Sequence, residues 1–578
     1  MMFADQHSLD NASDTIYSVT GIMKKLQKLA DRTILLGEAR GDLVDVTDAT
    51  SADLRNVALF DIDDNNVYNQ PRDYYAVINN CNYFLAHVDT AIRNSRSEQL
   101  FLAEMATVKA YRAWTYLQLA INYGSVPFIL TPIMTKEEAE RMEKGYHQNL
   151  QYICDELIKD LTPLTSIQYL HYDIYNNRWV DMGSNPVYGD IGYKTDSRLF
   201  YFPITLLLGE LNLWGGHYKE AAQWYYKYIS ERNGTTGYFT GTNYVFWANE
   251  TWTSLAGKAA FYTALQDETY NASSELITMI PGDSIPYNGN YQQLRNIFNS
   301  FDAVTGEYHV PSLSPSKGLS ELSATQVNCI YNKTTNDTIY APADAGWESV
   351  HRGDLRLYAT TGEGTTIYNG NQVTTQTIYK YNRRNAHIWR RQMVWLHFAE
   401  ALNAAGYPRF AYQILTTGLS NAVIRNKVIP HYRADSTWIK TFNFDDGVYK
   451  ADTSFTASGV NMLGIHTRGS GWAFMNKHYP LPDDPTITDS LTRIAYQQKG
   501  VDSLLINESA LELAFEGHRY YDLLRYALRK GDPKEMADKI YGRKGKANSD
   551  EMKSAIKKDL YNINNWYLQW DGKIGIKE

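Results

Sequence analysis

The sequence predicts a mainly α-helical fold, in which four tetratricopeptide-type helix pairs are dispersed along the chain around an irregular, loop-rich subdomain with short strands. Three observations carry this expectation. Leu208-Gly209, Gly216, Tyr218, Ala221 and Tyr225 fall on the spacing of a repeat whose two antiparallel helices turn at a glycine, although Tyr228 stands where that repeat has a later alanine. The same frame returns around Gly406, where Trp395, Phe398, Ala399, Leu402, Ala411 and Leu415 take the equivalent positions. Between Gly234 and Gln392 the character changes. Gly, Thr, Asn, Ser and Tyr dominate there, and short alternating pieces such as Thr374 to Tyr381 read as strands.

Taken in order, the chain opens with an amphipathic helix over Asp14–Leu36, on the pattern Ile16, Val19, Ile22, Met23, Leu26 and Leu29. It runs into Gly37–Asp42 and then a polar stretch to Asn69, read as loop with short structured pieces. Pro71 starts the next helix, with Tyr75, Ile78, Cys81, Phe84, Leu85 and Val88 on one face, and a turn at Asn94–Ser97 returns the chain antiparallel. Phe101–Leu130 follows. Leu102, Ala106, Ala110, Ala113, Leu117 and Ala120 draw one stripe along a helix, and the alanines admit a close neighbour. Gly124, which can adopt the left-handed C-cap conformation, and Pro127 stop it. A helix around Leu150, Ile153, Leu157 and Leu161 completes that pair across an interruption at Val126–Gly145, and Thr162–Ser197 reads as an insertion. A further pair turns at Gly517, between Ile506, Ala510 and Leu513 on one side and Tyr521, Leu524 and Tyr526 on the other. Such units bury their faces only against neighbours, so the pairs are expected to stack in space. The organisation expected is one domain over 1–578, with a helical part at 14–233, a ligand-facing irregular part at 234–392, a helix pair at 393–430, an irregular insertion at 431–500 and a last repeat with tail at 501–578.

Composition narrows the function classes. The 578 residues are 44% hydrophobic, 13% aromatic and 21% charged, a folded rather than disordered balance. A net charge of -8 argues against nucleic acid, and the short basic run Arg543-Lys544-Gly545-Lys546 reads as a solvated loop. Cys81, Cys154 and Cys329 are far apart and form no CxxC, which points to buried thiols. No run of 18 apolar residues is present to span a membrane as a helix.

The common catalytic signatures HExxH, GxSxG and GxxxxGK[ST] are missing. The acid pairs Asp445-Asp446 and Asp483-Asp484 read as ordinary polar loops. Asp61, Asp63 and Asn65 hold positions one, three and five of an EF-hand-like loop, but Asn66 at the sixth and Arg72 at the twelfth break it, so no metal or other cofactor is expected. Arg352-Gly353-Asp354 spells an adhesion tripeptide and is read as structural. Glu516, Arg519, Asp522 and Arg525 share one helical face and are read as a salt-bridge cluster holding the last repeat. The 45 Tyr and 13 Trp suit stacking on flat ligand faces as well as packing. Candidate ligand-binding clusters join aromatic rings to hydrogen-bonding side chains: Arg40 and Asp42 with Tyr68 and Asn69; Trp247 and Trp252; Tyr287, Asn288 and Tyr291; and Trp347.

Four blocks, in order, resemble the SusD/RagB family of surface lipoproteins that partner TonB-dependent transporters in Bacteroidetes. They are Glu104–Pro127; Asp354-Leu355-Arg356; Lys380-Tyr381 with Arg390–Gly406, including Ala399-Glu400-Ala401-Leu402-Asn403; and Asn507–Arg525, ending Glu516-Gly517-His518-Arg519-Tyr520-Tyr521-Asp522-Leu523-Leu524-Arg525. Ser509 and His397 stand where the family usually has arginine. The resemblance implies a SusD-like fold whose repeats form a right-handed superhelical scaffold. It implies a non-catalytic surface protein that captures an oligosaccharide for a SusC-like TonB-dependent outer-membrane transporter. The family's export signal and lipid-anchor cysteine are not in this sequence, and the expected location is the outer membrane, through such an anchor. Two alternatives remain at this point: an oligopeptide ligand, as the RagB branch implies, and a glycan-cleaving enzyme.

Overall fold

A computed structural model describes residues 12–93, 95, 97–167, 179–181, 194–233, 247–248, 255–256, 265–268, 275–282, 293–302, 306–326, 329–332, 337–340, 353–381, 385–444, 463–465 and 480–575. Eleven of its helices form the frame: α1 (Ala12–Ala39), α2 (Pro71–His87), α3 (Leu102–Tyr123), α4 (Leu150–Leu161), α5 (Ile204–Trp214), α6 (Tyr218–Asn233), α7 (Arg391–Ala404), α8 (Pro408–Leu415), α9 (Ser490–Glu512), α10 (Arg519–Lys530) and α11 (Lys534–Tyr541). Each neighbour packs on the next from α2 through α8; α9 then lies against both α7 and α8, and α1 closes the group against α2, α3 and α10. The dispersed pairs therefore stack, across sequence gaps as long as the one between α6 and α7.

The turns explain why two of the pairs match so well. In the α5–α6 turn Gly216 has φ +79°, and the His217 N–H donates to the Asn212 carbonyl at 2.9 Å. In the α7–α8 turn Gly406 has φ +93°, and the Tyr407 N–H donates to the Leu402 carbonyl at the same distance. This six-to-one bond over a left-handed residue is a Schellman closure, which favours glycine because a Cβ is penalised there. The turn after α9 is built differently: Phe515 and Gly517 both have positive φ, and the Gly517 N–H donates to the Glu38 carboxyl of α1 at 2.8 Å.

Two helices depart from the sequence expectation. Every residue of α3 from Ala106 to Tyr123 is buried except Lys109, so the helix is enclosed on all sides rather than along one stripe. Arg112, Gln118 and Asn122 go inside with the alanines because polar partners meet them there; Arg112, for example, reaches Asn82 and Asp160 at 2.8 Å. Gly124 has φ +77° but ψ -76°, outside the left-handed helical region expected of it, under the ring of Tyr567. Helix α1 continues through Gly37 to Ala39. A Cβ at Gly37 would lie 1.8 Å from the Gly517 carbonyl oxygen, so this glycine serves close helix approach rather than helix termination.

The sheets among the described residues are two-stranded and antiparallel. Leu276–Ile280 pairs with Ala386–Arg390 in the core, and Val44–Val46 pairs with Leu313–Pro315. Thr361–Tyr368 and Asn371–Ile378 form a hairpin that includes most of the expected strand at Thr374–Tyr381. Its two-residue turn, Asn369-Gly370, has φ +50° and +80°, the positive pair that matches strand twist. Among the described residues no helix is long and apolar enough to cross a membrane.

Candidate functional site

The sequence blocks converge on a buried ion network. Asp354 caps a short helix, Leu355–Thr360, by accepting the Arg356 N–H, and its two oxygens also take the Arg356 guanidinium at 2.9 and 2.8 Å. The same guanidinium donates to Glu508 at 2.7 Å and Glu512 at 2.8 Å, both on α9 and both fully buried. Arg390 then bridges Glu512 at 2.8 Å and Glu516 at 2.6 Å, with Lys380 on Glu516 as well. Burial works to raise Glu516, but Arg390 and Lys380 outweigh it and hold the carboxyl at about 2. The expected cluster on α10 is thus shared outward. Arg525 pairs with Glu400 of α7 at 2.6 Å and with Asp522 at 2.8 Å, and Arg519 pairs with Asp42. His397 donates toward Glu210 at 2.7 Å; burial opposes its charge, yet Glu210 raises it to about 9. Gly353, of the adhesion-like tripeptide, has φ +87° and is buried, as its structural reading expects, and its Cβ would meet the Ser323 backbone.

The candidate ligand residues divide sharply. Arg40 is fully buried, donates to the Leu36 carbonyl and to Asn122, and lies 3.8 Å from the Tyr520 ring centroid. Asp42 is held by Arg519, and Asn69 donates to the carbonyls of Asp63 and Gln569 while accepting from the Tyr123 hydroxyl. These three side chains are committed to the core. The structure does not join them with Tyr68 in one ligand cluster, because the α1–α10 junction draws Arg40 and Asp42 inward while Tyr123 and the Gln569 carbonyl hold Asn69. Tyr68 alone is partly exposed, and burial pushes its hydroxyl up to about 12. Trp247 sits in a short strand, Trp247–Ala248, paired with Leu255–Ala256. Trp252, Tyr287, Asn288, Tyr291 and Trp347 lie outside the described residues. In the EF-hand-like loop, one Asp63 oxygen accepts the N–H groups of Asn65 and Asn66 as a turn, and Asp61 lies 3.8 Å from Lys557. Among the described residues no group of three or more His, Cys, Asp or Glu converges as a metal site.

Arg543 corrects the reading of its basic run as a solvated loop. It is 1% exposed and donates to the carbonyls of Ala39, Gly41 and Ala58, closing the C-terminal end of α1, where unpaired carbonyls attract a cation. Lys544 and Lys546 remain at the surface of that turn, Lys544 with Glu551 at 2.7 Å. An open cleft of about 610 Å³ lies beside it, with Asp42 and Arg519 in its wall and Asn507, Glu321, Glu535 and Lys539 around it. It offers donors and acceptors to a polar ligand but no aromatic platform.

Compared with solved structures, this architecture has close counterparts. A SusD superfamily protein from Bacteroides vulgatus superposes with a TM-score of 0.54 at 14% identity, covering 96% of this chain and 95% of that one. A SusD superfamily protein from Bacteroides thetaiotaomicron gives 0.51 at 15% identity over 96% and 98%. A SusD-like protein from Bacteroides fragilis gives 0.52 at 14% over 91% and 88%. The sequence matches no curated protein. The fold is thus that of the SusD-like helical proteins. The SusD family model matches residues 480–569, the stretch that holds α9, α10 and the network acids Glu508, Glu512, Glu516 and Asp522, so this part of the chain is similar to that family.

Proposed function

We propose that the protein is a non-catalytic, surface-exposed glycan-binding protein that captures an oligosaccharide and hands it to a SusC-like TonB-dependent transporter. One observation carries the reading: the SusD fold runs through 96% of the chain, with the family's C-terminal block in place. Its charged motif residues support binding over bond chemistry, because Glu508, Glu512, Glu516 and Asp522 are locked in ion pairs inside the scaffold rather than set around an open site. Recognition then falls to loops on a rigid frame, with aromatic rings at Tyr68, Trp247, Trp252, Tyr287, Tyr291 and Trp347 stacking on sugar faces and Asn288 supplying hydrogen bonds. The stacked helices supply the stiff platform that a large transporter partner needs. A lipid anchor would tether the protein to the outer membrane.

Affinity electrophoresis against a polysaccharide panel tests the proposal. Retardation on at least one glycan, lost when Trp247, Trp252, Tyr287 and Trp347 are replaced by alanine, is the expected outcome. Calorimetric heat with oligopeptides and none with any glycan would transfer the protein to peptide capture, and reducing ends released steadily on long incubation would make it an enzyme.

A further inference from the structure

A cavity of about 50 Å³ lies inside the scaffold where the first, third and last sequence blocks meet. Trp114, Leu117 and Gln118 of α3 form one wall, Thr33 of α1 another, and Glu210, His397, Asp522 and Arg525 the charged side. Three polar atoms on these walls are buried without a hydrogen-bond partner from the protein: the Trp114 indole nitrogen, the Gln118 carbonyl oxygen and the Thr33 hydroxyl. Their residues are 0%, 9% and 8% exposed, and they come from two different helices. A buried polar group left unmatched costs about 1–3 kcal/mol, so three around one space is an improbable set of defects. They share one remedy.

We propose that this cavity is a built hydration site, in which a small cluster of ordered water molecules accepts from Trp114, donates to Gln118, and bonds the Thr33 hydroxyl. At about 10–15 Å³ of accessible space per molecule, the volume of about 50 Å³ admits roughly three to five waters. The chemistry selects water over other occupants. An apolar guest would leave the three atoms unmatched, and the facing charges already balance one another through Glu210–His397 and Asp522–Arg525 contacts of 2.7 and 2.8 Å. The cluster links α1 and α3 to the ion network of α7 and α10, adding a solvent bridge beside the direct Asn122–Tyr521 hydrogen bond of 3.3 Å between the first and last blocks. This proposal depends on neither the glycan nor the transporter.

The test has two arms. A crystal structure of the whole chain at about 1.5 Å resolution should show at least two waters in the cavity, within hydrogen-bond reach of the Trp114 nitrogen and the Gln118 oxygen; a dry cavity, or one filled by a rotated side chain, overturns the proposal. Thr33→Val keeps the side-chain shape and removes only the hydroxyl. If water serves that hydroxyl, Tm falls by about 1–2 °C; if the hydroxyl is truly unmatched, its removal leaves Tm unchanged or raises it, which also overturns the proposal. Should Thr33→Val fail to fold, Gln118→Met supplies the same comparison from the opposite wall.

Discussion

Two regions of this molecule place carboxyls inside the fold beside opposite kinds of neighbour. Around Arg356 and Arg390, the acids Asp354, Glu508, Glu512 and Glu516 each face a guanidinium within 2.9 Å. On α1, the half-buried Asp31 and the fully buried Glu38 lie two turns apart, and each receives a backbone N–H, from Gln293 and Gly517, while its second oxygen is left without a partner. Burial works to raise Glu516, Asp31 and Glu38 alike. With matched cations Glu516 is held at about 2, whereas burial takes Asp31 to about 7 and Glu38 to about 8 against the weaker pull of those N–H groups. A buried acid is therefore informative only together with its neighbours. The matched knot is an ionic joint between distant blocks, and the α1 face is a close-packed seam whose acids hold their protons more tightly.

The largest expected effect comes from breaking the knot. Arg356→Met should cost about 3–5 kcal/mol in denaturant unfolding, because Asp354 and Glu508 would remain buried without this guanidinium, while Glu512 would keep Arg390. A loss below about 1 kcal/mol would mean that water reaches these acids and that the joint is not ionic. Next is the seam. Gly37→Ala puts a methyl 1.8 Å from the Gly517 carbonyl, so α1 must lift away, at about 3 kcal/mol. A neutral outcome would show that α1 is only loosely applied.

The two pH predictions have opposite signs. Glu516 has its folded value depressed, so its contribution is complete above the unfolded value of 4.5 and lost as pH falls from there toward 2. Glu516→Gln should be less stable at neutral pH, and its unfolding free energy should fall less steeply over that acid range, by up to about 1.4 kcal/mol per pH unit. Glu38 has its folded value raised, so the folded state holds an extra proton between 4.5 and about 8, and stability drains as pH rises through that window. Glu38→Gln should track the parent near pH 5 and exceed it at pH 8. Parallel curves for parent and variant would show that Glu38 is ionised in the fold, and the contrast between the two regions would disappear.

Much of the scaffold was readable because its signals are local. Gly216 and Gly406 announce turns through the positive φ that glycine tolerates, and the 3.6-residue periodicity of the flanking apolar residues does the rest. Other local signals were overlooked. Thr135 and Glu138 form a capping box at the start of a helix, Lys136–Glu143, inside the stretch read as an interruption, and Asn369-Gly370 spells the hairpin turn. The ligand candidates fared differently. Arg40, Asp42 and Asn69 have the residue types of a sugar site and are spent on internal bonds instead, since nothing in a residue's identity says which helix will cover it.

By itself the sequence determined the helix pairs, their glycine turns and the blocks that carry the resemblance, all properties of residues within a few positions of one another. The tertiary structure decided the pairing: that Arg356 meets Glu508 across 152 positions, that Arg543 closes the end of α1 rather than facing water, and that Gly37 is a contact instead of a stop. Charge state followed from that pairing. A carboxyl's affinity for its proton depends on the cations and solvent that folding leaves beside it, and those neighbours come from parts of the chain that no local pattern connects.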